Sequence, residues 1–307
     1  MPNELLLIIS IIVCFVAGIS KKYYTKACTG GVKQINFYNA IISVFAIATF
    51  LIWGGFGKAS LFTVLLALLF GLITALQYLF TLKAISIGSW AYTTVISCLS
   101  TLIPTCSGWI FWGEPISWVQ IVGVLLFVVC FIFSTDLSSD ENKKLSLKWL
   151  LYVSIAFICT GGIGVLQKVF ASSSYAGQLN AFLIIAFIFA FLFATSIFTF
   201  ITIKDRKSGD VKIEKEKTKS INVYYSFLWI AIIAVCGIFV AINNKLNLYL
   251  SGVFESAFLF PVLNGSNILL TTLFSVLVFK DKLKVKQWIG FGVGIIALFF
   301  LCNPFGL

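Results

Sequence analysis

A helix that crosses a bilayer needs about 20 mostly apolar residues. Ten stretches of this chain meet that condition, roughly 4–24, 35–54, 60–83, 88–112, 116–135, 147–170, 178–203, 223–250, 254–279 and 285–302. Polar residues gather between them, mostly in short connections. Two connections are longer. Thr135 to Lys148 is polar, and Lys204 to Ser220 is dense in charge. Tryptophans fall near the ends of the apolar stretches, at Trp53, Trp90, Trp109, Trp112, Trp118, Trp149, Trp229 and Trp288. An interfacial aromatic belt has that placement.

The polar pattern occurs twice. Glu114 and Gln120-x-x-Gly123 return 167 positions later as Asp281 and Gln287-x-x-Gly290. Upstream, Gly18-Ile-Ser-Lys-Lys22 matches Gly164-Val-Leu-Gln-Lys168, and Gln34-Ile-Asn36 matches Gln178-Leu-Asn180. The offset, 146 and then 144 upstream, grows to 167, which places an insertion of about 23 residues between the seventh and eighth spans. Five spans per copy would set the second copy upside down in the membrane, the arrangement that lets a transporter expose one site to either side. The expected fold is therefore an all-α integral membrane protein of ten transmembrane helices, built as two inverted five-helix repeats. Residues 1–135 form the first repeat and 136–146 the loop between repeats. Residues 147–307 form the second repeat, with a charged loop at 204–220.

Composition agrees with lipid as the solvent. Of 307 residues 60% are hydrophobic and 11% charged, with mean hydropathy +1.04, against about 25% charged in soluble domains. The first apolar run, Leu5 to Ile19, has neither a basic start nor a small-residue cleavage site, so it is expected to remain as a span. The net charge of +11 lies in the connections, which is the positive-inside bias and not a nucleic-acid footprint. Basic residues follow the odd-numbered spans, with seven between Lys204 and Lys219. These loops are therefore expected in the cytoplasm and both termini outside a multi-pass cell-membrane protein. The eight cysteines form no C-x-x-C pair, and histidine is absent, so metal and cofactor chemistry are not expected. The chain also lacks a P-loop and any nucleophile–base motif, and it is not expected to be an enzyme.

On Trp112-Gly113-Glu114 with Gln120-x-x-Gly123, and on Phe279-Lys280-Asp281 with Gln287-x-x-Gly290, the chain resembles the drug/metabolite transporter superfamily, EamA type. Phe260-Pro261-Val-Leu-Asn264-Gly265 is similar to a pattern in part of that family, and Lys22 and Lys168 stand where it often has lysine. The resemblance implies ten helices in two repeats and a transport function. One departure is the basic bias, since many members are expected to keep both termini in the cytoplasm.

Polar side chains inside the spans mark candidate sites. Span four offers Ser97, Ser100 and Thr101 on one helix face, and span nine offers Asn264 and Asn267. The repeat pairs Ser97 with Asn264 and Ser100 with Asn267. A central substrate pocket and helix–helix hydrogen bonding both fit these residues. Tyr92 and Phe260 are candidate aromatic walls. Gln77 and Tyr78 in span three match Asn244 and Lys245 in span eight, as a polar vestibule or as interfacial residues with Lys245 snorkelling outward. Pro104 and Pro261 suit either a gating hinge or a static bend. Lys22 and Lys168 suit either helix-end anchoring or attraction of an anionic substrate, and Glu255 is the candidate embedded carboxylate. Gly290-x-x-x-Gly294 permits close helix approach, within one chain or across a homodimer. The expected partners are the lipid bilayer and a small substrate, neutral or zwitterionic and amino acid-like. A lipid-linked carrier or flippase on the same fold is the alternative.

Overall fold

The structure, a computed structural model, describes residues 2–27, 32–87, 93, 96, 97, 99–134, 147–207, 227–279 and 285–301, apart from some side chains within helices. Its elements are α1 (Asn3–Ala27), α2 (Val32–Gly54), α3 (Leu61–Ile87), α4 (Leu102–Trp112), α5 (Trp118–Ser134), α6 (Leu147–Ala171), a 3-10 turn (Ala176–Gln178), α7 (Leu179–Lys207), α8 (Phe227–Leu250), α9 (Ser256–Phe279) and α10 (Val285–Leu301). Among the described residues no strand occurs. Five helical segments are long and apolar enough to cross a membrane: Lys33–Gly54, Leu61–Thr81, Leu147–Ala171, Ala176–Lys204 and Ile230–Leu250. Shorter apolar helices accompany them at Asn3–Ala17, Trp118–Cys130, Ser256–Leu270 and Val285–Leu301. The chain is therefore an all-helical protein of multi-pass membrane character.

Helix ends follow local chemistry. Ser60 caps α3 through its Oγ, which accepts the Thr63 N–H at 3.2 Å. The Gln178 side chain accepts from both the Ser60 N–H, at 2.8 Å, and the Thr63 hydroxyl, at 2.5 Å. Ser117 and Gln120 form a reciprocal capping box at the start of α5, each bond 3.1 Å long. That gives the glutamine of the Gln-x-x-Gly signature a structural task. Gly55 follows α2 at φ 63°, and its N–H donates to the Leu51 carbonyl.

Span four departs from the single helix expected over 88–112. The chain turns at Ser100 and Thr101 and resumes as α4 at Leu102. Two backbone bonds of 3-10 type tighten this stretch, Ser100 N–H to Ser97 C=O and Ile103 N–H to Ser100 C=O. Pro104 thus stands in the first turn of α4, where its missing N–H breaks no helical bond. It helps start a helix and does not kink one. Pro261 does lie inside a helix, α9.

Two compact units make up the fold, and each draws on both halves of the sequence. The first comprises Met1–Ile12, Leu76–Ala176 and Leu246–Leu307, the second Val13–Ala75 and Gly177–Lys245. In the first unit α5 packs antiparallel on α10. Gly123 lies against Ala297 and Leu301, while Gly294 lies against Cys130 and Leu269. This close approach accounts for the second Gly-x-x-x-Gly glycine within one chain. Helix α9 also packs on α4. Gly161 of α6 seats Ile103, and Gly164 seats both Pro104 and Phe260. In the second unit α2 packs on α7, through Phe50 against Phe187, and Phe70 of α3 meets Phe182 of α7, with ring centroids 5.6 and 5.3 Å apart. Tyr38 Oη lies 3.1 Å from Cys236 Sγ in a buried cluster with Ile42 and Ile233. Trp149, expected in the interfacial belt, is instead buried, and its Nε1–H donates to Thr93 Oγ1 at 3.1 Å.

A Cβ on Gly71 would stand 2.6 Å from the Ala186 carbonyl oxygen, a backbone atom that cannot swing aside. Gly71→Ala should therefore lower stability by about 1–3 kcal/mol, as overpacking does. Gly292→Ala meets nothing within 4 Å and should leave the detergent melting midpoint level or raised. Equal midpoints for the two variants would contradict this packing.

Candidate functional site

The first unit holds a charged junction where α4, α6 and α9 end or begin. Gly113 ends α4 at φ 61°, a left-handed conformation that suits glycine. The next N–H, of Glu114, donates back to the Gly108 carbonyl at 3.2 Å and turns the side chain over the helix end. Glu114 Oε1 lies 2.5 Å from Lys168 Nζ, with both side chains about nine-tenths buried at 11% and 9% exposed. Glu114 Oε2 accepts the N–H of Ser256, the first residue of α9, at 2.6 Å. Lys168 also donates to the Phe254 carbonyl at 3.1 Å. Each charge faces the helix end that favours it, the carboxylate at the start of α9 and the ammonium in the last turn of α6. Gly108 makes room, since a Cβ there would strike Glu114 and Ser256.

The sequence singles out Lys168 as a charge site or a helix anchor, and the structure gives it a carboxylate partner and a bond to the Phe254 carbonyl. Sequence reasoning placed Glu114 at a span junction without giving it a role. The signal was the Gly-Glu signature together with the lysine at the end of span six, but nothing in spacing joins them. Glu255, the candidate embedded carboxylate near the start of span nine, stands just ahead of α9. Its carbonyl accepts the Phe258 and Leu259 N–H groups, and its side chain is half-buried. Polar bonds extend from the junction through the same unit. Ser251 Oγ donates to the Leu248 and Gln167 carbonyls, and Ser10 Oγ donates to Asn247 Oδ1 at 2.6 Å.

The candidate polar stripes divide in their surroundings. Asn264 is exposed, although Leu259, Phe260, Pro261, Val262, Leu263 and Gly265 around it are buried. Its Nδ2 donates to the Phe260 carbonyl at 2.9 Å. Asn267 is half-buried on the same helix, one turn later. Ser97 Oγ is buried, with no hydrogen-bond partner among the described residues. Ser100 and Thr101 are buried at the turn before α4, and the Ser100 hydroxyl donates to the Ser97 carbonyl at 2.6 Å. Ser100 thus supports its own backbone. Phe260 is core, seated on Gly164, and so no exposed aromatic wall. Tyr92 and the side chain of Lys22 lie outside the described residues.

The expected vestibule residues are engaged locally. Gln77 Nε2 donates to Thr81 Oγ1 at 3.3 Å, one turn on in α3, and Tyr78 beside it is half-buried. In the second unit Asn244 Nδ2 donates to the Val240 carbonyl at 2.9 Å. Lys245 Nζ sits 4.4 Å from the centroid of the Trp53 ring, a cation–π contact. Trp53 is half exposed, and the pair suits a lysine directed to the interface. Among the described residues no group of three or more His, Cys, Asp or Glu is placed to hold a metal ion.

Among solved structures 28 chains match this one. One, described only as the crystal structure of a protein, superposes with a TM-score of 0.68 over 97% of this chain and 95% of its own, at 13% identity. That likeness shows a shared fold over nearly the whole chain. No family model and no curated protein matches the sequence.

Breaking a buried ion pair by removing one partner strands the other charge and costs about 3–5 kcal/mol. Glu114→Ala and Lys168→Ala should each lower stability by that order. The double variant should cost clearly less than the two single costs added, because neither charge is then left alone. Additive losses in detergent melting would mean that the two side chains act separately.

Proposed function

We propose that this chain is a secondary transporter that moves a small neutral or zwitterionic metabolite by alternating access. The observation that carries the reading is Asn264, an exposed amide in the apolar helix α9 whose neighbours in sequence are buried. An amide turned to hydrocarbon is costly, so accessible space beside such a residue is best filled by water or a polar ligand. With its Nδ2 turned to the Phe260 carbonyl, Asn264 keeps Oδ1 as an acceptor. Asn267 stands one turn on, and the Ser97 hydroxyl adds a buried donor and acceptor. Neutral amides and hydroxyls recognise amine, hydroxyl or carboxylate groups by direction without fixing a net charge. Two lysines within helices fit the same reading, because Lys168 is paired with Glu114 and Lys245 rests on Trp53.

Further support comes from the pairing of α5 with α10 and of α2 with α7. Each pair joins helices from matching places in the two sequence halves, as a twofold axis within an inverted repeat would require. The resemblance to the EamA-type transporters points the same way.

Two measurements test the proposal. A ligand that binds only the folded state adds about 2.7 kcal/mol at 100 times its dissociation constant. One neutral or zwitterionic class from a panel of amino acids, sugars, nucleobases, cations and anions should therefore raise the melting midpoint. Asn264→Ala and Asn267→Ala should abolish both the shift and transport of that compound while the protein still inserts. A shift with anions alone would overturn the substrate class. Stability that responds only to lipid would favour the lipid carrier.

Lysine and arginine placement puts the loop at 204–220 in the cytoplasm. An epitope inserted there should stay hidden in intact cells and appear on permeabilisation. Labelling of intact cells would reverse the orientation.

A further inference from the structure

The junction at Glu114 holds the start of the helix that carries Asn264, and its parts are directional. Glu114 meets a backbone donor at the first residue of α9 and Lys168 meets a backbone acceptor at Phe254, so the two charges are not interchangeable. The site is closely built. Gly108 leaves no room for a methyl group, and the Ser256 hydroxyl is buried beside the carboxylate without a hydrogen-bond partner among the described residues. Beyond the anchored first turn, α9 carries Pro261, whose missing N–H leaves a helical bond unmade one turn before Asn264. An anchor, then a weak point, then the polar residue follow in order along one helix.

We propose that Glu114 and Lys168 are positioning residues that fix the first turn of α9, so that the direction of Asn264 is set by the pair and any movement of Asn264 takes place by bending at Pro261. The pair is a pivot and not a gate, since its charges are buried together within one compact unit and bound to backbone on both sides. The inference rests on the transporter reading only in taking the space at Asn264 to be open to water.

The test follows the reactivity of Asn264→Cys in protein whose native cysteines are replaced, using a small charged methanethiosulfonate well below each variant's melting midpoint. The parent should react. Glu114→Gln and Lys168→Gln should change the rate by about threefold or more, the scale of a modest population shift. E114K/K168E should behave like the single variants, because the exchange sets an ammonium against the Ser256 N–H and a carboxylate against the Phe254 carbonyl. Ser256→Pro deletes the N–H that Glu114 accepts at a helix position where proline is well tolerated, and it should shift the rate where Glu114→Gln fails to fold. Ala297→Cys, fully buried between α5 and α10, should stay unreactive throughout, which separates a moved α9 from a loosened protein. An unchanged Asn264→Cys rate in all variants would overturn the pivot and leave the transporter reading standing. Parent-like behaviour of the exchanged pair would overturn its directionality. No reaction in the parent would remove the open space itself, and the pivot with it.

Discussion

Within a bilayer there is no water to complete a backbone hydrogen bond, so each N–H and C=O must find its partner inside the chain. Along a helix the requirement is met automatically. At a helix end it is not, and the distinctive chemistry of this protein collects there. Gln178 serves the start of α3, Ser117 and Gln120 serve each other at the start of α5, and Glu114 serves the start of α9. The last case uses a full charge, and a charge in such a place needs its own partner. Lys168 answers that need and binds the Phe254 carbonyl beyond the end of α8 at the same time.

Much of this architecture was legible in the order of apolar residues, because hydropathy and span length alone locate helices in lipid. The start of α6 at Leu147 and the end of α9 at Phe279 coincide with the polarity changes. Gln120 and Gly123 were visible as a motif, but their tasks were not. One caps a helix and the other admits Leu301, and both tasks need the neighbouring atoms to be seen. The turn at Ser100 was hidden because proline reads alike at the start of a helix and inside one. Trp149 was misplaced because tryptophan suits both an interface and a core that offers its N–H an acceptor, and Thr93 supplied that acceptor. The ion pair was least legible, since it joins residues remote in sequence with no periodicity between them.

The candidate site carries the same lesson in a finer form. Ser97, Ser100 and Thr101 look equivalent as letters on a helix face. Their environments differ because the face is broken at that point, which binds the Ser100 hydroxyl to backbone and leaves the Ser97 hydroxyl without a partner among the described residues. On α9 the helix runs on unbroken, and Asn264 is set apart from its buried neighbours by exposure alone.

Both compact units are discontinuous along the chain, and this bears on how the protein is made. The second unit has all its segments once residue 245 has been synthesised, whereas the first still waits for α9 and α10. Synthesis from the N-terminus therefore completes the units in a fixed order. During the interval Glu114 and Lys168 already exist, but the Ser256 N–H and the Phe254 carbonyl that complete their bonding do not. The chain from Phe254 onward thus supplies the backbone partners of two charges that precede it in sequence.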